Sequence, residues 1–359
     1  MRGRLLLLLG GLLSGFVLLE VVLRVFPVPA VEIHRRAPAD TSGFFDYDPE
    51  LGWRGRAGAH GVLSGWEFTS DIRLNARGFR DTEVAVAKPP GVFRVVLLGD
   101  SITWGHGVEQ SQRYGDILTE DLHLQGRAVQ VVNLAVSGYG TDQELLLWER
   151  EGRSYCADLV LLGLYENDVR ENALAFQGRY PKPYFRLTPD GALTLTHVPV
   201  PRVSDWEPGG LDHVRPRDWI RGHVRVWAAL AMVRQAFRGS ATAAPPPPSP
   251  AGLDLTAALI RRLAARVTGD GSAFAIVILP DLFYSVSTKA AAARAAVGAT
   301  LDLSATFRRA APDGAALFYR LDGAHWTPRA HALAADAIAS WMRAAHIVSP
   351  APRPCPEVS

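Results

Sequence analysis

Short apolar runs alternate with stretches of helical periodicity from residue 93 to about residue 345. The apolar runs predict buried strands, and they are FRVVLLG (93–99), VQVVNLAV (129–136), DLVLLGLY (158–165), FAIVILP (274–280) and ALFYRL (316–321). The helix-like stretches are SQRYGDILTEDLHLQ (111–125), TDQELLLWEREG (141–152), LDLTAALIRRLAARV (253–267) and ATLDLSATFRRA (299–310). This alternation predicts βαβ units and a mostly parallel five-stranded sheet covered by helices on both faces.

The composition excludes several classes of protein. With 48% hydrophobic and 21% charged residues, the 359-residue chain is neither disordered nor a polytopic membrane protein. The net charge is +2 and there is no long basic run, so we expect no nucleic-acid partner. Only three of the 38 basic residues are lysine, a bias that favours GC-rich coding and a bacterial source.

The N-terminal segment 1–25 predicts a transmembrane signal anchor. Two arginines precede an apolar stretch from Leu5 to Leu23 that is interrupted only by Glu20, and at about 1.5 Å per residue this stretch can cross a bilayer core. The arginines place the rest of the chain outside the cytoplasm, in the periplasm or at the cell surface. A cleaved signal peptide is the alternative, because VPA at 28–30 offers small residues at a suitable spacing.

The remaining chain divides into an extension, a catalytic domain and a tail. Residues 26–92 predict loops and hairpins, residues 93–346 the domain with the sheet, and residues 347–359 a tail. An insertion at about 171–250 interrupts the domain. It contains a predicted hairpin (YFRLTPDGALTLTHV), a helix (DWIRGHVRVWAALAMVRQAFR) and a proline-rich linker (AAPPPPSP). We expect this helix to pack against the domain rather than to face a membrane.

Neither cysteine has the spacing of a metal ligand. Export makes Cys156 and Cys355 chemically able to form a disulfide, but the sequence does not decide whether they do. The chain contains no HExxH, CxxC or P-loop pattern, so the usual signatures of zinc hydrolysis and phosphate binding are missing.

A serine follows the first predicted strand directly, in GDSITWG. Open α/β sheets bind ligands beyond the carboxyl ends of their strands, which makes Ser101 a candidate nucleophile. A serine hydroxyl needs a nearby base and an acid that orients the base. In RLDGAHWTP, His325 has Asp322 three residues before it, in a loop that ends where Thr327 and Pro328 predict the start of a helix. His325 is therefore the candidate base.

Two further strand ends carry candidate hydrogen-bond donors. Gly138 follows the second predicted strand and leaves its backbone N–H accessible because glycine has no side chain. Asn167 follows the third predicted strand, and its side-chain amide can donate. Such donors can stabilise the oxyanion that forms when a nucleophile attacks an ester.

Together these positions resemble the four blocks of the SGNH hydrolases, also called the GDSL esterase and lipase family. The matching residues are Ser101 in GDS, Gly138 in NLAVSG, Asn167 in YEND, and Asp322 and His325 in DGAH. The resemblance runs from about residue 93 to 345, apart from the insertion. LNARGFRD and the N-terminal anchor also resemble exported, membrane-tethered members of this family.

The resemblance implies a flavodoxin-like α/β/α sandwich and a Ser101–His325–Asp322 triad. The oxyanion would be bound by the backbone N–H groups of Ser101 and Gly138 and by the Asn167 side chain, with an acyl-serine intermediate and no metal or cofactor. Tyr165 stands where the family usually has glycine, which suggests a narrower acyl pocket.

The expected function is therefore ester hydrolysis, with removal of short acyl groups such as acetyl from an envelope glycan as the preferred hypothesis. Three alternatives remain open at this point. The protein could transfer the acyl group to a polysaccharide hydroxyl, it could be a lipase or lysophospholipase, or it could be a non-catalytic scaffold module of an envelope assembly.

Overall fold

The computed structural model describes residues 2–35, 41–123, 128–178, 180–203, 220, 222–238, 249–282, 299–314, 316–319, 321–322, 325–345, 347 and 355. The strands are β1 (Phe45–Asp48), β2 (Gly52–Gly55), β3 (His60–Ser64), β4 (Thr69–Arg73), β5 (Phe93–Leu98), β6 (Val129–Asn133), β7 (Leu159–Leu164), β8 (Phe176–Gln177), β9 (Tyr180–Pro181), β10 (Tyr184–Leu187), β11 (Leu193–Thr196), β12 (Ala273–Ile278) and β13 (Thr300–Asp302).

The helices in the same ranges are α1 (Arg2–Val25), α2 (Pro29–Arg35), α3 (Ser101–Trp104), α4 (Tyr114–His123), α5 (Thr141–Arg150), α6 (Glu166–Glu171), α7 (Arg225–Arg238), α8 (Pro250–Gly269), α9 (Ser304–Ala310) and α10 (Pro328–Ala344). Short 3-10 turns cover Ser42–Phe44, Gln110–Gln112 and Gly152–Tyr155.

The central sheet has five parallel strands in the order β13-β12-β7-β5-β6. All six residues of β5 and of β7 are buried, because helices cover both faces of the sheet. The predicted fold class, a three-layer α/β/α sandwich, is confirmed. Four of its strands are those that the apolar runs predict.

The fifth strand lies elsewhere than predicted. We expected ALFYRL (316–321) to be a strand, but its described residues form turns, and Phe318 makes only an isolated bridge to Trp326. The edge strand is instead β13, Thr300–Asp302, which lies inside a stretch predicted as helix. The prediction was wrong because β13 has only three half-buried residues, too few to show a strand periodicity.

Alternate residues of the strands pack into two separate cores. On one face, Val96 and Leu98 of β5 lie in the cluster that includes Leu259 and Leu263 of α8. On the other face, Val95 and Leu97 lie with the apolar residues of α4, α9 and α10. Strands β5, β6 and β7 pair in parallel, so the residues just beyond their carboxyl ends lie at the same edge of the sheet.

The extension consists largely of two antiparallel hairpins, β1–β2 and β3–β4. Trp53 of β2 and Phe68, in the turn before β4, are buried in the same core as one face of the central sheet. The extension thus packs on the catalytic domain, next to the edge where the predicted site residues lie.

Two short hairpins, β8–β9 and β10–β11, follow α6, and the second of them is the hairpin predicted for the insertion. The proline-rich linker lies mostly outside the described residues. Ser249, at its end, caps α8 by accepting the backbone N–H of Gly252, with Pro250 at the first helical position.

Helix α1 contains a segment, Leu6–Val25, that is long and apolar enough to cross a membrane, with a mean hydropathy of 2.5. We expected the insertion helix to pack against the domain, but α7 packs mainly against α1 and α2. The Glu20 carboxylate accepts the backbone N–H of Val226, and Arg225 pairs with Glu32 at 2.8 Å. Glu20 therefore binds the N-terminal end of α7 instead of standing alone in an apolar helix.

Candidate active site

The nucleophile candidate begins a short helix directly after strand β5. Asp100 caps this helix, since its carboxylate accepts the backbone N–H of Ile102 at 2.9 Å. The cap fixes the turn between β5 and α3 and places Ser101 at the carboxyl edge of the sheet. The Ser101 side chain is partly exposed at this point, whereas the residues around it are buried.

Ser101, His325 and Asp322 form a continuous chain of hydrogen bonds. Ser101 Oγ and His325 Nε2 are 3.0 Å apart, and His325 Nδ1 lies 3.0 Å from Asp322 Oδ2. The same nitrogen is 3.0 Å from the backbone oxygen of Asp322. Because Nδ1 faces two acceptors, it carries the proton in the neutral ring, and Nε2 is left as the acceptor of the serine hydroxyl proton.

A second histidine shares the carboxylate. His106 Nε2 lies 3.1 Å from Asp322 Oδ2, the oxygen that also accepts from His325. The rings of His106 and His325 stack with centroids 3.9 Å apart and planes inclined by 23°. The sequence analysis does not identify His106 as a partner of Asp322. No local signal reveals this role, because its partners lie far along the chain.

The hydrogen bonds from the histidines set the charge of the aspartate. Burial alone would raise the pKa of Asp322, but the bonds from His106 and then His325 outweigh burial and lower this pKa to about 2. Burial lowers the pKa of His106 to about 4, assisted by the nearby charge of His325. Near neutral pH, Asp322 is therefore ionised and His106 is neutral.

Gly138 follows β6 in a backbone conformation that favours glycine, with φ of +83°. The loop is fixed on both sides. Trp53 donates from Nε1 to the carbonyl of Ser137 at 3.1 Å, and the Tyr139 hydroxyl donates to the carbonyl of Trp53. A Cβ atom at position 138 would lie 3.3 Å from Trp53 and 3.5 Å from Gln177. The extension and the insertion therefore enclose the space next to Gly138.

Asn167 lies in the first turn of α6, directly after β7. Its Nδ2 donates to Glu171 Oε2 at 3.1 Å, one helical turn further on. This bond orients the side-chain amide and uses one of its two N–H groups. Three N–H groups make no hydrogen bond within the described part of the chain. They are the second N–H of Asn167 and the backbone N–H groups of Ser101 and Gly138. All three can serve as donors to a ligand.

The segment LNARGFRD supports the loop that follows Ser101. Arg80 is buried, and its guanidinium donates to the carbonyl oxygens of Gly105 and, at 2.7 Å, Val108. Its charge also lies 4.9 Å from the ring centroid of Trp104. Arg80 thus fixes the loop that carries His106.

Buried acidic side chains lie behind the site. Burial raises the pKa of Glu144 and of Asp168 well above the ordinary range, and the negative charge of Asp100 raises both further. Their neutral forms are therefore favoured.

His106, Asp322 and His325 also present possible metal-ligand atoms within 4.8 Å of one another. These atoms already hydrogen-bond one another and Ser101. The arrangement therefore suits proton transfer to and from Ser101.

Comparison with known proteins gives one family match. Residues 95–193 match the profile of the GDSL-like Lipase/Acylhydrolase family. No curated protein sequence matches the chain. The matched segment contains β5, β6 and β7 together with Ser101, Gly138 and Asn167.

Several solved structures are similar at low sequence identity. A psychrotrophic esterase from Pseudoalteromonas sp. is 13% identical, covering 71% of this chain and 98% of its own, with a TM-score of 0.37. A lipase/acylhydrolase from Enterococcus faecalis is 13% identical, covering 70% and 96%, with a TM-score of 0.38. An acetyl xylan esterase is also 13% identical, covering 69% and 98%, with a TM-score of 0.36.

Proposed function

We propose that this chain uses Ser101 as the nucleophile that removes short acyl groups from an envelope glycan or a similar ester. The chain carries a GDSL-like acylhydrolase domain and is a carboxylic ester hydrolase. The observation that carries the mechanism is the hydrogen-bonded chain from Ser101 Oγ through His325 to Asp322, with 3.0 Å at each step. In this arrangement the base contacts the nucleophile and the acid contacts the base, as acyl transfer requires.

In the first half of the reaction, Ser101 Oγ attacks the ester carbonyl carbon while its proton moves to His325 Nε2. The ionised Asp322 stabilises the imidazolium that forms. When the tetrahedral intermediate collapses, the bond to the alcohol breaks and His325 gives its proton to the leaving oxygen. The alcohol departs and the acyl group stays on Ser101. Water then repeats these steps in the second half, and the carboxylic acid leaves.

The negative charge that develops on the carbonyl oxygen needs donors. The backbone N–H groups of Ser101 and Gly138 and the remaining N–H of Asn167 supply them in this proposal. All three follow neighbouring strands of the sheet, β5, β6 and β7, at their carboxyl ends. Donors held in place by the fold stabilise the transition state without having to reorganise during the reaction.

A short acyl group is favoured by how closely the site is enclosed. Trp53 and Gln177 lie next to Gly138. Tyr165, at the position where the family usually has glycine, is partly buried and packs against the apolar core on one face of the sheet. Acetyl and other small groups fit such a site better than long chains do. Transfer of the acyl group to a sugar hydroxyl is the second candidate, because the same acyl-serine can react with either acceptor.

The proposed location is the outer face of a membrane, with α1 as the anchor. The apolar segment Leu6–Val25 supports this. The test is detergent-phase partitioning of the full chain beside residues 28–359, and the shorter chain should remain in the aqueous phase. Continued partitioning would implicate the exposed apolar side chains of α7, which include Trp227, Leu230 and Val233, and contradict α1 as the only anchor.

The choice between hydrolysis and acyl transfer is tested with acetylated glycan oligomers. We expect release of acetate to depend on Ser101, and release to remain the main reaction when free sugar acceptors are added. If added acceptors become acylated faster than acetate is released, the protein is an acyltransferase rather than an esterase.

A further inference from the structure

The second histidine on the triad carboxylate is fixed from several sides. The backbone N–H of His106 donates to the carbonyl of Ser101 at 2.9 Å, so its loop is tied to the nucleophile. Phe68 packs edge-on against its ring at a centroid distance of 5.3 Å, and the ring of His325 stacks on it at 3.9 Å. The side chain is only 6% exposed, and it therefore cannot act as a group that meets the substrate.

The protonation state of His106 follows from its two ring nitrogens. Nε2 faces the ionised carboxylate of Asp322 at 3.1 Å and must carry a proton to make that contact favourable. Nδ1 is buried and has no hydrogen-bond partner among the described residues. A proton on Nδ1 would be a buried donor without an acceptor, which is costly. The geometry therefore selects a neutral ring with the proton on Nε2.

The charged groups around His106 favour the same state. His325 is stacked against it and becomes positively charged during catalysis, and the buried guanidinium of Arg80 lies under the same loop. The negative charge of Asp322 opposes them and raises the pKa of His106, but burial and the positive charges outweigh it. A cationic His106 would repel the imidazolium of His325, so a neutral donor is the form compatible with the reaction.

We propose that His106 is a positioning residue of the triad. Its Nε2–H donates to the acceptor oxygen of Asp322, and its ring stacks on that of His325. Its backbone N–H donates to the carbonyl of Ser101, so these two contacts are linked to the loop of the nucleophile. This inference rests on the proposed serine mechanism. It adds a fourth side chain whose purpose is to keep the three reacting groups aligned and to limit how much negative charge faces His325.

Two substitutions distinguish the contribution of the Nε2–H donor of His106 from that of its stacked ring. His106→Phe keeps a flat ring for stacking but removes the N–H to Asp322, whereas His106→Gln keeps an amide donor near the position of Nε2 but removes the ring. We expect His106→Phe to lower kcat for p-nitrophenyl acetate about tenfold or more with KM changed less than about twofold. His106→Gln should retain more of the rate than His106→Phe.

The pH–rate profile gives a readout that packing alone would not change. Without the donor, the Asp322 carboxylate concentrates its charge on His325 and stabilises the imidazolium. The acidic limb of kcat/KM should therefore move to higher pH in His106→Phe and stay near its original position in His106→Gln. A matched control is His331→Phe, since His331 is also buried but packs on Tyr114 and Trp326. That variant should lose stability and keep the pH profile.

The outcomes are distinguishable from failure of the serine mechanism itself. If Ser101→Ala is inactive while His106→Phe has the kcat and pH profile of the unmodified protein, the role of His106 is wrong and the mechanism stands. If Ser101→Ala remains fully active, the proposed serine mechanism itself is wrong. If His106→Phe does not fold, His106→Gln decides the matter: a loss of kcat as large as that of Ser101→Ala would overturn the donor role.

Discussion

The carboxylate of Glu67 accepts the backbone N–H of Asp322 at 3.3 Å and that of Leu321 at 2.6 Å. Glu67 lies in the turn of the hairpin β3–β4, outside the domain that carries the sheet. Next to it, Phe68 packs against His106 and, at 5.1 Å between ring centroids, against Tyr319. The extension before the sheet domain therefore holds the loop that carries Asp322.

This contact predicts that Glu67 affects turnover from a distance. Glu67→Ala removes the acceptor of both N–H groups, so the Asp322 loop should shift and kcat should fall about tenfold, since small misplacements of catalytic groups are costly. Glu67→Gln keeps an oxygen at the same place and should retain most of the rate. Steady-state kinetics of the two variants are the measurement. Equal rates for Glu67→Ala and the unmodified protein would show that the loop is held without this contact.

Asn167 is predicted to act on the transition state rather than on substrate binding. Loss of one oxyanion donor typically costs about a hundredfold or more in kcat, and we expect this for Asn167→Ala with little change in KM. Asn167→Asp has nearly the same shape but no N–H, and should be at least as impaired. If Asn167→Asp kept full activity, donation by this side chain would play no part in the reaction.

His331 is predicted to make the protein less stable in acid. Burial lowers the pKa of His331 to about 3, and the charges of Arg113 and Arg80 add to this, whereas in the unfolded chain the value is near 6.5. The unfolded state therefore binds more protons between these limits. The stabilisation that the neutral ring gives is complete above about pH 6.5 and declines as pH falls toward 3.

Urea unfolding at several pH values between 4.5 and 6.5 measures this effect. The free energy of unfolding should fall with decreasing pH more steeply in the unmodified protein than in His331→Phe, by about 1.4 kcal/mol per pH unit. Other titrating groups, including Asp81 with a pKa raised by burial to about 6, are present in both chains and cancel in the comparison. Parallel curves would mean that His331 binds protons equally in the folded and unfolded states, and would contradict the lowered pKa.

The sequence leaves open whether the two cysteines pair, and the structure brings them together as free thiols. Burial and a hydrogen bond from the Cys156 thiol to Cys355 raise the pKa of Cys156 to about 11. We expect an intramolecular disulfide to form on treatment with oxidised glutathione, faster at alkaline pH because the thiolate is the reactive form. Thiol counting should fall from two to zero without dimers on non-reducing gels, with Cys355→Ser as the control. If disulfide-linked dimers form instead, the two thiols of one chain are too far apart to pair with each other.

Much of the fold could be predicted from local patterns. The strands β5, β6, β7 and β12 are buried apolar runs of five or six residues, and such runs are visible without any knowledge of their partners. The candidate residues Ser101, Gly138 and Asn167 each follow such a run, so their common position at one sheet edge also follows from the sequence. Strand β13 could not be found in this way, because it is short and has no buried side chain.

The supporting residues of the site could not be predicted for a different reason. His106 and Glu67 act on Asp322 through contacts between segments far apart in the chain, and neither has a local pattern that indicates a partner. A glutamate in an exposed turn and a histidine between two glycines are ordinary features of a sequence. Their roles depend on how the extension and the loop after α3 pack around the triad, which only the folded structure reveals.

The central claim is that Ser101 is the nucleophile of a short-chain ester hydrolase. The most direct test is hydrolysis of p-nitrophenyl acetate, butyrate and octanoate by the full chain in detergent, beside Ser101→Ala. We predict turnover that is fastest on acetate or butyrate and falls by about a thousandfold or more in Ser101→Ala, as for loss of a triad serine. Equal hydrolysis by both proteins, or no turnover by a well-folded unmodified chain, would contradict the account.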